Sequence, residues 1–344
     1  MTEPSSEDPV SGAETPSPSQ PKLRLGRIIA LLTVIILLPI GLSAAAILSP
    51  GPVTDTKTLV ISHGMRSPEI GAMLESEQII PNQVMFHLAV KILANGALQA
   101  GEYEFTPHQS LADIVLMMHE GHSVVRLYTV AEGLTSVEIV DLLKNNSTFM
   151  GDVTTIPADG SLLPESYRYS YGDMRSTIIE RMQKAMQETL HQLWADRDTS
   201  IPLKTPDEAL VMASIIEKET GKPQERPRIA GVFYNRLQKN MRLQSDPTVI
   251  YAVTHGQGPL DRELTHDDLT FPSPYNTYTN DGLPPKSICN PGRASIEAAL
   301  HPENNDYLYF VADGTGGHVF AKDLSEHNQN VAKLVSLKKA QSIQ

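Results

Sequence analysis

The sequence predicts an α+β protein carried on a single N-terminal transmembrane helix, and three observations predict it. An uncharged run from Ile28 to Leu48, "IIALLTVIILLPIGLSAAAIL", is long enough to cross a bilayer core as a helix. A strand–turn–helix pattern occurs twice: "HGMRSPEIGAML" (63–74) aligns without gaps to "EGLTSVEIVDLL" (132–143), placing Gly64 on Gly133, Ser67 on Ser136, Glu69 on Glu138 and Leu74 on Leu143. A long amphipathic segment, "MRSTIIERMQKAMQETLHQLWADR", then leads into a region dense in Asn, Gly, Pro and Tyr, the composition of fixed loops around a few elements.

The remaining segments follow in order. Residues 1–26 are rich in Pro, Ser and Glu and have too few apolar side chains to bury, so a disordered cytoplasmic tail is expected. The transmembrane helix is placed at 27–48. Lys22, Arg24 and Arg27 precede the apolar run and Lys57 is the one nearby cation after it, which keeps the N-terminus inside and sends the rest out. A cleaved signal peptide competes, because 43–46 offer small residues; the run exceeds the usual signal length, which favours an uncleaved anchor. After a linker at 49–57, "TLVIS" reads as a strand and Ser67 as the N-cap of a helix with Pro68 at its first position. Between the two copies, "ALQAGEYEF" reads as a strand followed by a helix capped at Ser110.

Composition bounds the function. The 344 residues exceed the usual need of one compact domain, so two folded units plus tails are expected. A net charge of −12 and a pI near 5.4 exclude a nucleic-acid partner, since binding to phosphates rests on basic side chains. The single cysteine, Cys289, excludes an intrachain disulfide and a thiolate metal site. His318 and His327 stand isolated, H-E-x-x-H does not occur, and Ser214 lacks a nucleophile-elbow context, so neither metal nor cofactor is expected.

One helix stands apart. "TPDE" (205–208) reads as its start, with Thr205 as N-cap, Pro206 first and Glu208 closing a capping box; Gly221 supplies the stop. Its wheel is apolar apart from a strip of Asp207, Ser214 and Lys218, so the helix is expected to be buried on most sides. Glu217 falls between Leu210 and Ala213, and Glu219 near Met212 and Ile215. On such different sides the pair cannot serve as the two facing carboxylates most glycosidases use. A carboxyl held against apolar neighbours keeps its proton to higher pH and can act as a general acid. Helical spacing alone does not choose between Glu217 and Glu219.

Several stretches in family order resemble the endolytic murein transglycosylases of the MltG/YceG-like type: "ASIIEKET", "RIAGVFYNRL", "MRLQSDPTVIY", "SPYNTY", "GLPPKSICNPG" and "YLYFVADGTGGHVF". "GSLLPESYRY" resembles the segment preceding the catalytic region. The resemblance implies a LysM-like subdomain at 58–150, a YceG-like α+β catalytic domain at 151–335 and a short tail at 336–344. It makes Glu217 the catalytic residue, cleaving the β-1,4 bond between N-acetylmuramic acid and N-acetylglucosamine within glycan strands and leaving a 1,6-anhydro end without consuming water. One acid then suffices, because it protonates the glycosidic oxygen and afterwards takes the proton of the sugar's own C6 hydroxyl.

Gln244, Ser245, Asp246, Tyr251, Tyr275, Asn276, Tyr278 and Asn290 are the expected substrate contacts, as amides, hydroxyls and phenols suited to N-acetyl groups and sugar faces. Lys218, Glu219 and Asn235 are expected to support Glu217. The implied partners are peptidoglycan strands, the inner (plasma) membrane through one helix, and peptidoglycan synthases of the penicillin-binding class. A noncatalytic peptidoglycan-binding scaffold and a hydrolytic muramidase are the alternatives.

Overall fold

The computed structural model describes residues 22–341, so most of the expected N-terminal tail lies outside the described residues. The chain forms two compact units: Met1–Leu59, Gly64–Gln99 and Glu104–His122 make the first, and Val60–His63, Ala100–Tyr103 and Ser123–Gln344 the second. The boundary expected at 150 falls inside the second unit, and so does the second repeat copy.

The first unit is mainly helical. Its helices are α1 (Lys22–Leu48), α2 (Ser67–Ser76), α3 (Gln83–Leu93) and α4 (Leu111–Glu120); β1 (Lys57–Ile61) and β2 (Gly101–Phe105), which pair with each other, each fall partly in this unit and partly in the second. In α1, the 23 residues Gly26–Leu48 have a mean hydropathy of 2.6, and the large apolar side chains from Ile28 to Leu42 are all more than half exposed. Apolar on every side and largely exposed from Ile28 to Leu42, the helix suits a hydrocarbon solvent over that length. The core beneath α2–α4 is built from Leu74, Ile79, Phe86, Val90, Ile114, Val115 and Met118. Ser110 caps α4 as expected, its hydroxyl accepting from the Asp113 N–H. α2 differs from expectation: Arg66 is its N-cap and Ser67 its first residue. The Glu69 carboxylate accepts from the Arg66 N–H and takes over the capping that a serine hydroxyl would otherwise supply.

The second repeat copy uses the same device. α5 (Ser136–Asn145) has Thr135 as N-cap, and Glu138 accepts from the Thr135 N–H at 2.8 Å. Ser67 and Ser136 thus occupy equivalent first positions, three residues beyond glycines with φ of +86° and +78°.

The second unit adds β3 (Val125–Thr129), β4 (Ser166–Ser170), α6 (Arg175–Ala195), α7 (Pro206–Glu219), α8 (Arg226–Gln238), α9 (Asp246–Thr254), α10 (Arg293–Leu300), β5 (Tyr309–Ala312), β6 (His318–Ala321) and α11 (Leu324–Gln341). β3 and β4 are antiparallel, pairing Val125 with Ser170 and Thr129 with Ser166; β5 and β6 pair Tyr309 with Ala321. Small two-stranded antiparallel sheets set among helices make this an α+β fold.

The core sits around α7, which packs against α6, α8, α9 and α10. Met212, Ala213, Ile215 and Ile216 are buried there with Leu190, Ile229, Phe233, Ile296 and Leu300, in agreement with the apolar wheel. Thr205 caps the helix and accepts from the Glu208 N–H. The expected reciprocal bond is not made: the Glu208 carboxylate accepts from the Lys204 N–H, one residue earlier.

Candidate active site

Two segments distant in sequence and the start of the following helix converge on the last turn of α7. Glu217 stands at that turn with its side chain 5% exposed. Its Oε1 accepts from Arg226 Nη2 at 3.1 Å, and its Oε2 accepts from the Gly292 N–H at 2.9 Å. Arg226 opens α8 and Gly292 is the N-cap of α10, so two helix starts address one carboxyl. The same Nη2 donates to Glu132 Oε2 at 3.3 Å. Glu132 lies in the turn between β3 and α5, and its side chain is 43% exposed. Burial first, and repulsion from Glu217 next, raise the Glu132 carboxyl above the usual carboxylate range, while Arg226 opposes them.

The approach is close. Gly133, at φ +78°, leaves 3.5 Å between a hypothetical Cβ and Glu217 Cγ, and a Cβ on Gly292 would run into the Glu132 carboxylate. Lys218 donates from Nζ to the Gly133 carbonyl at 3.2 Å, tying the end of α7 to this turn.

Asn290 holds the two loops together. Gly133 N–H donates to Asn290 O at 3.0 Å, and Asn290 N–H donates to Leu134 O at 2.8 Å. Its side-chain Oδ1 accepts from Leu162 N–H, and Nδ2 donates to Leu134 O and Ser136 Oγ. Asn290 is fully buried and its amide is bonded within the protein, so in this structure it ties the two loops together. Asn276 is buried too: it is 0% exposed, donates to Leu269 O and Phe271 O, and accepts from Tyr278 N–H. Asn235 donates to Asn305 O and Tyr307 O, and no bond links it to Glu217.

Glu219 points into a different polar cluster, as its place on the wheel requires. It accepts from Ser245 Oγ, and its carboxyl is pushed up to about 7 by burial, with the nearby Asp246 charge adding to the rise. Tyr278 donates to Asp246 Oδ1 at 2.6 Å, and Gln244, at φ +50°, accepts from Arg236 Nη1. Ser245 is buried, whereas Gln244 and Asp246 are exposed and Tyr278 is partly exposed. Tyr251 donates to Asp159 Oδ2 at 2.7 Å with its ring 4.8 Å from that of Tyr275. The structure therefore brings Ser245, Asp246, Tyr278 and Glu219 together, pairs Tyr251 with Tyr275, and bonds Asn235, Asn276 and Asn290 to other parts of the protein.

Sequence reasoning expected apolar surroundings for the acid. The structure instead gives Glu217 two donors, and the carboxyl raised by burial among the groove residues is Glu219. It also missed Glu132. The signal was present in the gapless repeat, where the first copy has His63 at the matching position, so the second copy alone places a carboxyl before its turn glycine.

With this geometry in view, the relatives become informative. The family model described as the YceG-like family matches residues 59–333. The chain belongs to the YceG-like family. An endolytic murein transglycosylase of Bacillus subtilis is 32% identical over 320 residues, covering 83% of this chain and 87% of the relative. A protein of the same description from Streptococcus pneumoniae D39 is 29% identical over 331 residues, covering 82% of this chain; the match spans only 59% of that longer relative. The crystal structure of a yceG-like protein from Listeria monocytogenes has a TM-score of 0.50 and 34% identity, covering 80% of this chain and 99% of that one. In this YceG-like protein, Glu132, Glu217, Arg226 and Gly292 all lie within the matched residues.

Proposed function

We propose that this protein is an endolytic murein transglycosylase that cuts the MurNAc-β-1,4-GlcNAc bond within nascent glycan strands and leaves 1,6-anhydroMurNAc ends, so terminating strand elongation. The observation that carries the reading is Glu217, enclosed at the end of α7 and addressed by Arg226 and the Gly292 N–H. As the acid, Glu217 gives its proton to the glycosidic oxygen as the C1–O bond breaks. The C6 hydroxyl oxygen of the same sugar then bonds to C1, and its proton passes to the Glu217 carboxylate, which restores the acid. No water enters. Arg226 offsets the negative charge left on Glu217 between the two transfers, and Glu132 faces the same guanidinium as a second acidic group.

Gln244, Asp246, Tyr275 and Tyr278 supply the groove, since each keeps some exposed surface. Ser245 and Tyr251 hold Glu219 and Asp159 in place behind it. Residues 58–150 act as the LysM-like part, a reading supported by the repeated strand–turn–helix pattern. The apolar α1 anchors the chain in the inner membrane, with the cations before it retained on the cytoplasmic side. Peptidoglycan synthases of the penicillin-binding class fit as partners because nascent strands are their product.

One observation favours a second reading. Glu132 beside Glu217 supplies two carboxyls, the machinery of a hydrolytic muramidase. Mass spectrometry of intact strands digested by the full chain in detergent micelles separates the two, because anhydro ends are one water lighter than reducing ends. We expect anhydro ends from the native protein and none from Glu217→Gln, with strand binding retained. Reducing ends would establish the muramidase, and undiminished anhydro product from Glu217→Gln would overturn the assignment.

A further inference from the structure

Helix α3 is apolar on two sides. Phe86, Ala89 and Val90 face the core of the first unit. On the opposite side, at spacings of four, stand Val84, Leu88 and Ile92, with Val84 63% and Ile92 64% exposed. Gln83, His87 and Lys91 form a polar strip along one flank of the helix, yet beyond it the large side chains of Val84 and Ile92 still face outward, and a soluble helix has no physical reason to turn such a ridge toward water. Lys91 stands exposed at the edge of the ridge.

The ridge continues onto α1. A groove of about 410 Å³ runs between the two helices, lined by Ile40, Ser43, Ala44 and Ile47 of α1 and by Leu88 and Ile92 of α3. Its α1 wall spans Pro39 to Leu48, about 14 Å at 1.5 Å per residue. The whole apolar stretch Gly26–Leu48 measures about 34 Å against a hydrocarbon core of about 30 Å. With α1 embedded over that length, most of the groove lies within the depth of the bilayer, and α3 is drawn to the same level.

We propose that the outer face of α3 is a lipid-docking surface: Val84, Leu88 and Ile92 enter the acyl region of the extracytoplasmic leaflet, and Lys91 extends its ammonium to the lipid phosphates. This rests on the reading of α1 as a membrane anchor. The first unit then meets the membrane through two helices, of which one crosses it and the other lies in its surface layer. A second copy of the chain is the competing occupant, but the ridge runs continuously into a helix whose own surroundings are lipid.

Labelling tests this on the full chain in phosphatidylcholine–phosphatidylglycerol vesicles. An environment-sensitive fluorophore is placed on Ile92→Cys or on Leu37→Cys, and the native chain, whose Cys289 is buried, gives the background. Nitroxides carried shallow or deep on the lipid acyl chains quench the probes. We expect the probe at 92 to be quenched by the shallow nitroxide and the probe at 37 by the deep one. Adding Val84→Glu and Leu88→Glu should abolish quenching at 92 while leaving it intact at 37. A water-exposed, unquenched probe at 92 with quenching retained at 37 would refute lipid docking and leave the anchor standing. Loss of quenching at both positions would remove the anchor and this inference together. A probe at 92 shielded from water yet unquenched by lipid, with disulfide crosslinking of Ile92→Cys between chains, would give the surface to a second copy instead.

Discussion

Glu217 and Glu219, two positions apart on α7, meet opposite surroundings, and each has a distinct experimental signature. Glu219 holds its proton to about pH 7, against 4.5 for an ordinary glutamate. The folded state therefore binds this proton more tightly than the unfolded chain. The stability this contributes is complete below about pH 4.5 and is lost as pH rises through about 7. Glu219→Gln should match the native protein at low pH and become the more stable of the two toward pH 8, by at most about 3 kcal/mol. Thermal denaturation across that range measures the difference. Around Glu217, Glu132→Gln should lower kcat by roughly 10–100-fold with little change in KM, if the second carboxyl acts on the reacting charge. Gly292→Ala should mimic it. The added methyl displaces the flexible Glu132 side chain, so folding stability should change little while turnover falls.

At the level of elements, the site depends on how helix ends are tied rather than on the helices themselves. Asn290 joins the turn before α5 to the loop before α10, and so brings Glu132 and Gly292 to Glu217. Asn290→Ala leaves the buried Leu162 N–H without its acceptor and removes one bond each from the Leu134 carbonyl, which keeps the Asn290 N–H, and from Ser136 Oγ, which still donates to Ala158 O. We expect a loss of about 2–4 kcal/mol in urea denaturation, together with reduced turnover. Thr135→Ala removes the α5 cap and should cost about 1 kcal/mol by the same measurement. The starts of α4 and α7 were legible because a Ser or Thr side chain capping its own helix is a local event. The start of α2 was not, since the Glu69 carboxylate does the capping from inside the helix and frees the cap position for Arg66. Glu208 slipped by one residue for a related reason: Lys204 N–H offered a nearer donor.

For the whole molecule, the acidic balance and the apolar α1 set the conditions under which it works. A chain of net charge −12 has no electrostatic reason to bind phosphate polymers, and attachment to uncharged sugar faces should be insensitive to salt. Retention of the full chain on isolated sacculi should therefore change little as ionic strength is raised, which a pull-down at increasing salt would test. The sequence by itself determined the apolar helix long enough to cross a membrane, the repeated strand–turn–helix units, the burial of α7 and the divergence of its two glutamates, because periodicity and capping act over a few neighbouring residues. Tertiary structure alone decided that Glu217 would meet Arg226, Gly292 and Glu132 rather than apolar carbon, and that Asn276 and Asn290 would be enclosed. Arg226 follows Glu217 by nine residues, but Gly292 lies 75 residues away, and no local pattern records which loop a folded core will bring against which helix end.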